Sequence, residues 1–190
     1  NPYWRFRRTG LRVADPRRPY VVVSNHESFA DILLISHLPF EMKWLSKVEI
    51  LKIPLIGWMM RMAGDIPIKR GFGPSAVEAM ERCRASLRNR VSVIFFPEGT
   101  RSVDGNMLPF KDGAFRLAIE AGVPILPLAV AGTRTALPKH DWRFNPARAV
   151  VEVLPPIETA GLTLDDLPQL KERVRATIQV ARDALRAQLT

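Results

Sequence analysis

His26 and Asp31 stand in the stretch Ser24-Asn25-His26-Glu27-Ser28-Phe29-Ala30-Asp31, where a strand gives way to a polar turn and then a helix. A neutral imidazole takes the proton from a hydroxyl as that hydroxyl attacks a carbonyl. A carboxylate beside the ring fixes its tautomer and stabilises the imidazolium. Five positions apart on one continuous helix, the two side chains would face different sides. With His26 in the turn, the Asp31 side chain leans back toward the helix N-terminus and reaches the ring, where the helix dipole also favours a carboxylate. The alternative use of such a pair is a hydrogen-bonded structural histidine. A zinc-protease helix would need a second histidine where Ala30 stands. With His26, His37, His140 and the single Cys83, a metal site of the usual ligands is not expected. No G-x-S-x-G nucleophile elbow is present. A base without a protein nucleophile points to a substrate that brings the attacking group.

Three further loops carry groups suited to anions. Phe95-Phe96-Pro97-Glu98-Gly99-Thr100-Arg101-Ser102 follows the clearest strand. Gly99 permits a tight turn and close backbone approach, Thr100 and Ser102 bring hydroxyls, and Arg101 brings a planar fork that matches phosphate. Glu98 would position Arg101 or bind an acceptor hydroxyl. The other reading is an ordinary turn with a surface salt bridge, worth little. Gly64 to Arg70 ends in Lys69 and Arg70, and Lys111 follows Phe110. If these loops share one sheet edge with His26, they form an anion pocket beside a base, at the strand ends where open α/β sheets bind ligands.

The elements that must hold these loops are readable from periodicity. Tyr20–Ser24, Lys43–Lys47, Asp65–Lys69, Val91–Phe96, Pro124–Val130 and Arg148–Leu154 read as strands. Pro67 marks the third of them as an edge or irregular strand. Helices are predicted from about Ser28, over Pro54–Ala63, from a Ser75/Glu78 capping box, near Gly113–Ala121 and over Leu167–Leu189. Leu167, Leu170, Val174, Ile178, Ala181 and Leu185 form one face of the last. Cys83 falls on the core face of its helix. Gly132–Pro146 reads as the longest surface loop. Alternating strands and helices argue an α/β domain with both sheet faces covered.

The chain has 190 residues, enough for one good core, and its net charge is +9 with a pI near 10.4. Such a field draws polyanions, and charge alone does not separate nucleic acid from anionic lipid. No nucleic-acid recognition motif and no aromatic–basic stacking platform is present, so no nucleic-acid partner is expected. A single cysteine excludes an intrachain disulfide, which fits a reducing compartment among others. No run is long and apolar enough to span a bilayer. Tyr3, Trp4 and Phe6 among Arg5, Arg7 and Arg8 suit either a membrane interface or an arm packed on the domain. The segment Trp44–Met62, with Lys43, Lys47, Lys52 and Arg61, reads either as a surface that touches lipid or guides an acyl chain, or as a core helix with solvated charges.

Taken together, the motifs resemble the glycerolipid acyltransferase family. Its four blocks occur in order: Asn25, His26 and Asp31; Gly64 to Arg70; Phe96 to Ser102; and Val123, Pro124, Ile125 and Pro127. The resemblance implies a single α/β domain with a mixed, largely parallel sheet flanked by helices. It divides the chain into a basic, aromatic and membrane-proximal arm over 1–19 and an acyltransferase domain over 20–190. It implies transfer of a fatty acyl group from acyl-CoA or acyl-carrier protein to the sn-2 hydroxyl of 1-acyl-glycerol-3-phosphate, giving phosphatidic acid. In that reaction His26 is the general base, Asp31 its partner, and no acyl-enzyme forms. Glu98, Gly99, Thr100 and Arg101 would hold the glycerol-phosphate. Arg70 and Lys69 would add to phosphate binding; Lys111 is placed with them on its own position after Phe110. Pro124 and its neighbours would shape the pocket. No metal or tightly held cofactor is implied. The partners implied are a lysophospholipid, the thioester donor and an anionic membrane surface. The location implied is the cytoplasmic face of a membrane, peripheral or anchored by a segment before Asn1. The alternatives are the same chemistry on another lysolipid, such as a lyso-ornithine lipid, or a non-catalytic lipid- or phosphate-binding protein.

Overall fold

A computed structural model describes residues 3–13, 15, 17–69, 71–102, 105–137 and 143–189. The elements in chain order are β1 (Trp4–Gly10), β2 (Val21–Ser24), α1 (Ala30–Ile35), β3 (Met42–Lys47), α2 (Ile56–Ala63), β4 (Ile66–Ile68) and α3 (Gly73–Arg88). They continue with β5 (Ser92–Phe95), α4 (Gly113–Ala121), β6 (Ile125–Ala131), α5 (Thr133–Ala136), β7 (Ala147–Val153) and α6 (Leu167–Leu189). The strands form a seven-stranded sheet in the order β1-β7-β6-β2-β5-β3-β4. Every neighbouring pair is parallel except β6 and β7.

The uninterrupted apolar runs become the inner strands. β2, β5 and β6 are buried throughout, as strands covered on both faces must be. Their side chains alternate between two layers. On one face Val21, Val23, Val93, Phe95 and Ile125 meet α3, α4 and α6 through Cys83, Phe115, Leu117, Val174 and Ile178. On the other face Val22, Ile94, Leu126 and Leu128 meet α1 through Leu34 and Ile35. Cys83 is fully buried there, and burial pushes its thiol up to about 12. β4 with Pro67 is the sheet edge, the place where a missing N–H is tolerated.

Of the two readings of the arm over 1–19, the packed one is seen: it contains β1, which pairs with β7 from Trp4↔Ala147 to Gly10↔Val153 and so belongs to the same sheet. Two other expectations change. Ser75 does not cap its helix. That helix starts earlier, at Gly73 with Pro74 in its first turn and no side-chain cap bond, while the Ser75 hydroxyl accepts a bond from Lys69 N (2.9 Å). A capping box does form before α6, between Thr163 and Asp166. The loop Gly132–Pro146 opens with α5, which puts Thr133 in the interior; residues 138–142 lie outside the described set.

Candidate active site

Parallel pairing of β2 with β5 and β6 brings the carboxyl ends of three strands together, and the polar turns there build the site. Asn25 locks the first turn in place. Its Nδ2 donates to Val130 O (2.9 Å) and its Oδ1 accepts from Val130 N (2.8 Å), so the side chain continues the pairing of β2 with β6 by one step. His26 follows in the turn, and Asp31 lies in the first turn of α1. His26 Nδ1 stands 2.8 Å from Asp31 Oδ2. A carboxylate only accepts, so Nδ1 donates to Asp31, and in the neutral ring Nε2 is the acceptor.

Asp31 is wholly buried, and its charge is met from several sides. Oδ2 also accepts from Glu27 N (2.8 Å) and Ser28 N (3.0 Å), and Oδ1 accepts from the Thr133 hydroxyl. The imidazole side chain keeps 17% of its surface exposed. Phe96 stacks on it at 4.0 Å between centroids and 16° between planes, and Trp44 packs on Phe96 in turn. The ring is therefore held in one plane with Nε2 directed away from its carboxylate partner.

Glu98 fixes the backbone beneath the ring. Its Oε1 accepts from His26 N and its Oε2 from Leu108 N, both at 2.8 Å. Burial pushes its carboxyl above the usual range, opposed chiefly by those two N–H groups. Through these two bonds Glu98 ties the turn at His26 to the loop at Leu108. Glu27 is also raised by burial, opposed by Arg186. Its Oε1 accepts from Arg186 Nη2 (2.6 Å) and its Oε2 from Gly132 N (3.2 Å). The closing helix α6 is thereby tied to the turn that holds His26. Arg182, buried on the α6 face at the spacing of Ile178 and Leu185, lines the cleft beside His26 and Glu98 with Ser102 and Arg134.

A second concavity adjoins the first across Phe96. It is an apolar groove of about 460 Å³ lined by Leu45, Ile68, Phe72, Ala76, Met80 and Phe96, with Lys69, Gly99 and Lys111 also on its wall. Gly99 has φ +73°, and a Cβ there would stand 3.0 Å from Lys111 Nζ, so glycine admits the lysine. Of the residues singled out in the sequence, His26, Asp31 and Glu98 meet in one network, and Lys69, Gly99 and Lys111 meet in the groove. Thr100 is exposed, and Arg101 is half-buried directly before Ser102 of the His26 cleft. Arg70 lies outside the described residues. Sequence reading missed Thr133, the Glu27–Arg186 pair and Arg182. The available signals were a hydroxyl just past a buried strand and an arginine in register with an apolar helix face.

Comparison with known proteins gives a consistent result. The family model described as Acyltransferase matches residues 5–131. A human protein named 1-acyl-sn-glycerol-3-phosphate acyltransferase alpha is 43% identical over 162 residues, 84% of this chain and 57% of that one. A Saccharomyces cerevisiae protein named 1-acyl-sn-glycerol-3-phosphate acyltransferase is 32% identical over 163 residues, 84% and 54%. The chain thus spans little more than half the length of these relatives. The crystal structure of the 1-acyl-sn-glycerophosphate (LPA) acyltransferase PlsC from Thermotoga maritima superposes with a TM-score of 0.82 at 30% identity. That match covers 97% of this chain and 73% of the other.

Proposed function

Because this chain belongs to the Acyltransferase family, we propose that it transfers a fatty acyl group from a thioester donor to the sn-2 hydroxyl of 1-acyl-glycerol-3-phosphate, giving phosphatidic acid. The observation that carries the reading is the His26–Asp31 pair: a buried, fully bonded carboxylate behind a ring whose other nitrogen is left as an acceptor. The acceptor hydroxyl gives its proton to Nε2 while its oxygen attacks the thioester carbonyl. Asp31 stabilises the imidazolium. The tetrahedral intermediate then expels the thiolate, which takes the proton back from the ring. The acyl group passes directly to the acceptor, and no step is assigned to a metal or cofactor. The donor is acyl-CoA or acyl-carrier protein, and the reaction runs at an anionic membrane surface. No helix of the described residues is long and apolar enough to cross one.

Arg101, with Lys69, Arg70 and Lys111, is assigned to the acceptor phosphate. Removing a charge-assisted bond costs about 1.5–3 kcal/mol. Arg101→Ala is therefore expected to raise KM for the acceptor roughly ten- to a hundred-fold with a small change in kcat, read by steady-state assay. An unchanged KM overturns that assignment.

The apolar groove is assigned to an acyl chain, since its lining is apolar and Phe96 separates it from the base. Ala76→Phe is expected to fill part of it and shift preference toward shorter donors, read across a ladder of acyl chain lengths. An unshifted profile places the chain elsewhere. A panel of lysolipids with both thioester donors tests the whole reading. Retained activity on acceptors lacking phosphate would favour a different lysolipid.

A further inference from the structure

The stretch from Val48 to Ala63 is built unlike the rest of the molecule. It comprises the 3₁₀ turn Val48–Lys52, a short link and α2, and Gly57 is its only buried residue. Its composition is nevertheless that of a core: apart from Glu49, Lys52 and Arg61, every side chain from Val48 to Ala63 is apolar or absent. Leu55 is 73% exposed, Trp58 61%, Met59 63% and Met62 70%, with Ile53 beside them at 43%. Soluble surfaces rarely gather large apolar side chains in this way.

The local architecture holds this face outward. A Cβ on Gly57 would stand 2.1 Å from Leu51 O, so glycine at that position lets α2 sit against the 3₁₀ turn. The helix packs chiefly on that turn. Leu55 takes φ +64°, strained for a leucine, at the head of α2. Internal packing offers nothing to offset that strain, since the leucine points into solvent.

We propose that the Val48–Ala63 module is a lipid-docking element, which inserts Leu55, Trp58, Met59 and Met62 into one leaflet of an anionic bilayer. Three observations select a bilayer over other partners. The apolar residues include a tryptophan, an indole suited to the depth of lipid headgroups. Exposed Lys47, Lys52 and Arg61 outnumber Glu49, the one carboxylate of the module, and give the rim the charge that anionic headgroups attract. The module also leaves the sheet at the end of β3 that carries the site, because β3 runs parallel to β5 and passes straight into Val48. Half-exposed Phe72, on the wall of the apolar groove just past β4, stands at that same end. Resting on the transfer reading above, docking through this module would set the mouth of the groove against the acyl layer, so that an acyl chain need not cross water.

The test is flotation of the purified chain with vesicles of phosphatidylcholine alone or with phosphatidylglycerol, without any substrate. Wild type is expected to float with the anionic vesicles. Trp58→Glu/Met59→Glu should reduce the bound fraction about ten-fold or more, at an unchanged melting temperature, since both side chains are exposed. Lys52→Glu/Arg61→Glu should lose the preference for anionic vesicles. Brominated lipid should quench wild-type fluorescence, and Trp58→Phe should remove most of that quenching. Flotation of Trp58→Glu/Met59→Glu equal to wild type overturns the proposal. So does sedimentation showing a dimer that this variant dissolves, since the face would then meet a second copy. A chain that floats but transfers nothing would sink the transfer reading and leave the docking surface standing. A transferase whose variant still floats would do the reverse.

Discussion

His26→Ala is expected to lower acyl transfer by roughly 10²–10⁴ while the protein melts close to the wild-type temperature. The activity falls because Nε2 is the acceptor left on a ring whose other nitrogen is committed to Asp31. The fold survives because the buried carboxylate keeps the Glu27 and Ser28 N–H groups and the Thr133 hydroxyl as donors. The turn beneath it keeps the bond from residue 26 N to Glu98. His26→Gln sharpens the test, since an amide can donate to Asp31 but cannot take up a proton at neutral pH. Both variants should be equally inactive, read as turnover at saturating donor and acceptor beside thermal unfolding by circular dichroism. Activity within a few-fold of wild type in either would remove the base from this site.

Asp31→Ala should show the second large effect, on stability and activity together. The carboxylate, itself wholly buried, accepts from the ring, two backbone N–H groups and a hydroxyl. Removing it leaves those donors without an acceptor, and an unsatisfied buried donor costs about 1–3 kcal/mol. Denaturant unfolding should therefore move well below wild type, and transfer should fall at least as far as in His26→Ala. Asp31→Asn separates the two consequences. Its amide oxygen can keep the bonds to the ring and the two N–H groups, and the Thr133 hydroxyl can turn to accept from the new NH₂. That variant should recover most of the stability yet little of the activity, because a neutral amide does not stabilise the imidazolium.

Much of this arrangement is legible in the amino-acid sequence. β2, β5 and β6 announced themselves as short, mostly apolar runs between turn residues, the pattern of a strand covered on both faces. His26 and Asp31 were legible because their separation works only across a turn-to-helix junction. β1 was harder. Its half-buried Trp4 and Phe6 alternate with exposed Arg5 and Arg7, the period of an edge strand, but the arginines also suited a solvated arm. The ties across the site were not legible at all. Glu27 meets Arg186 across 159 positions of chain, and Asp31 meets Thr133 across 102. Neither pairing leaves a local pattern; both are fixed by the order in which strands enter the sheet. Ser75 failed as a cap for a related reason. Pro74 suits the first turn of a helix, so α3 starts before the serine, whose hydroxyl turns to Lys69 N.

The most direct measurement of the central claim is product analysis by mass spectrometry after incubating wild-type protein with 1-acyl-glycerol-3-phosphate and an isotopically labelled acyl thioester, supplied in turn on CoA and on acyl-carrier protein. Labelled phosphatidic acid from at least one donor, with no labelled acyl group left on the protein at any time point, is the predicted result. A protein that accumulates a covalent acyl adduct, or that forms no phosphatidic acid from either donor, would contradict direct attack by an acceptor hydroxyl under the control of His26.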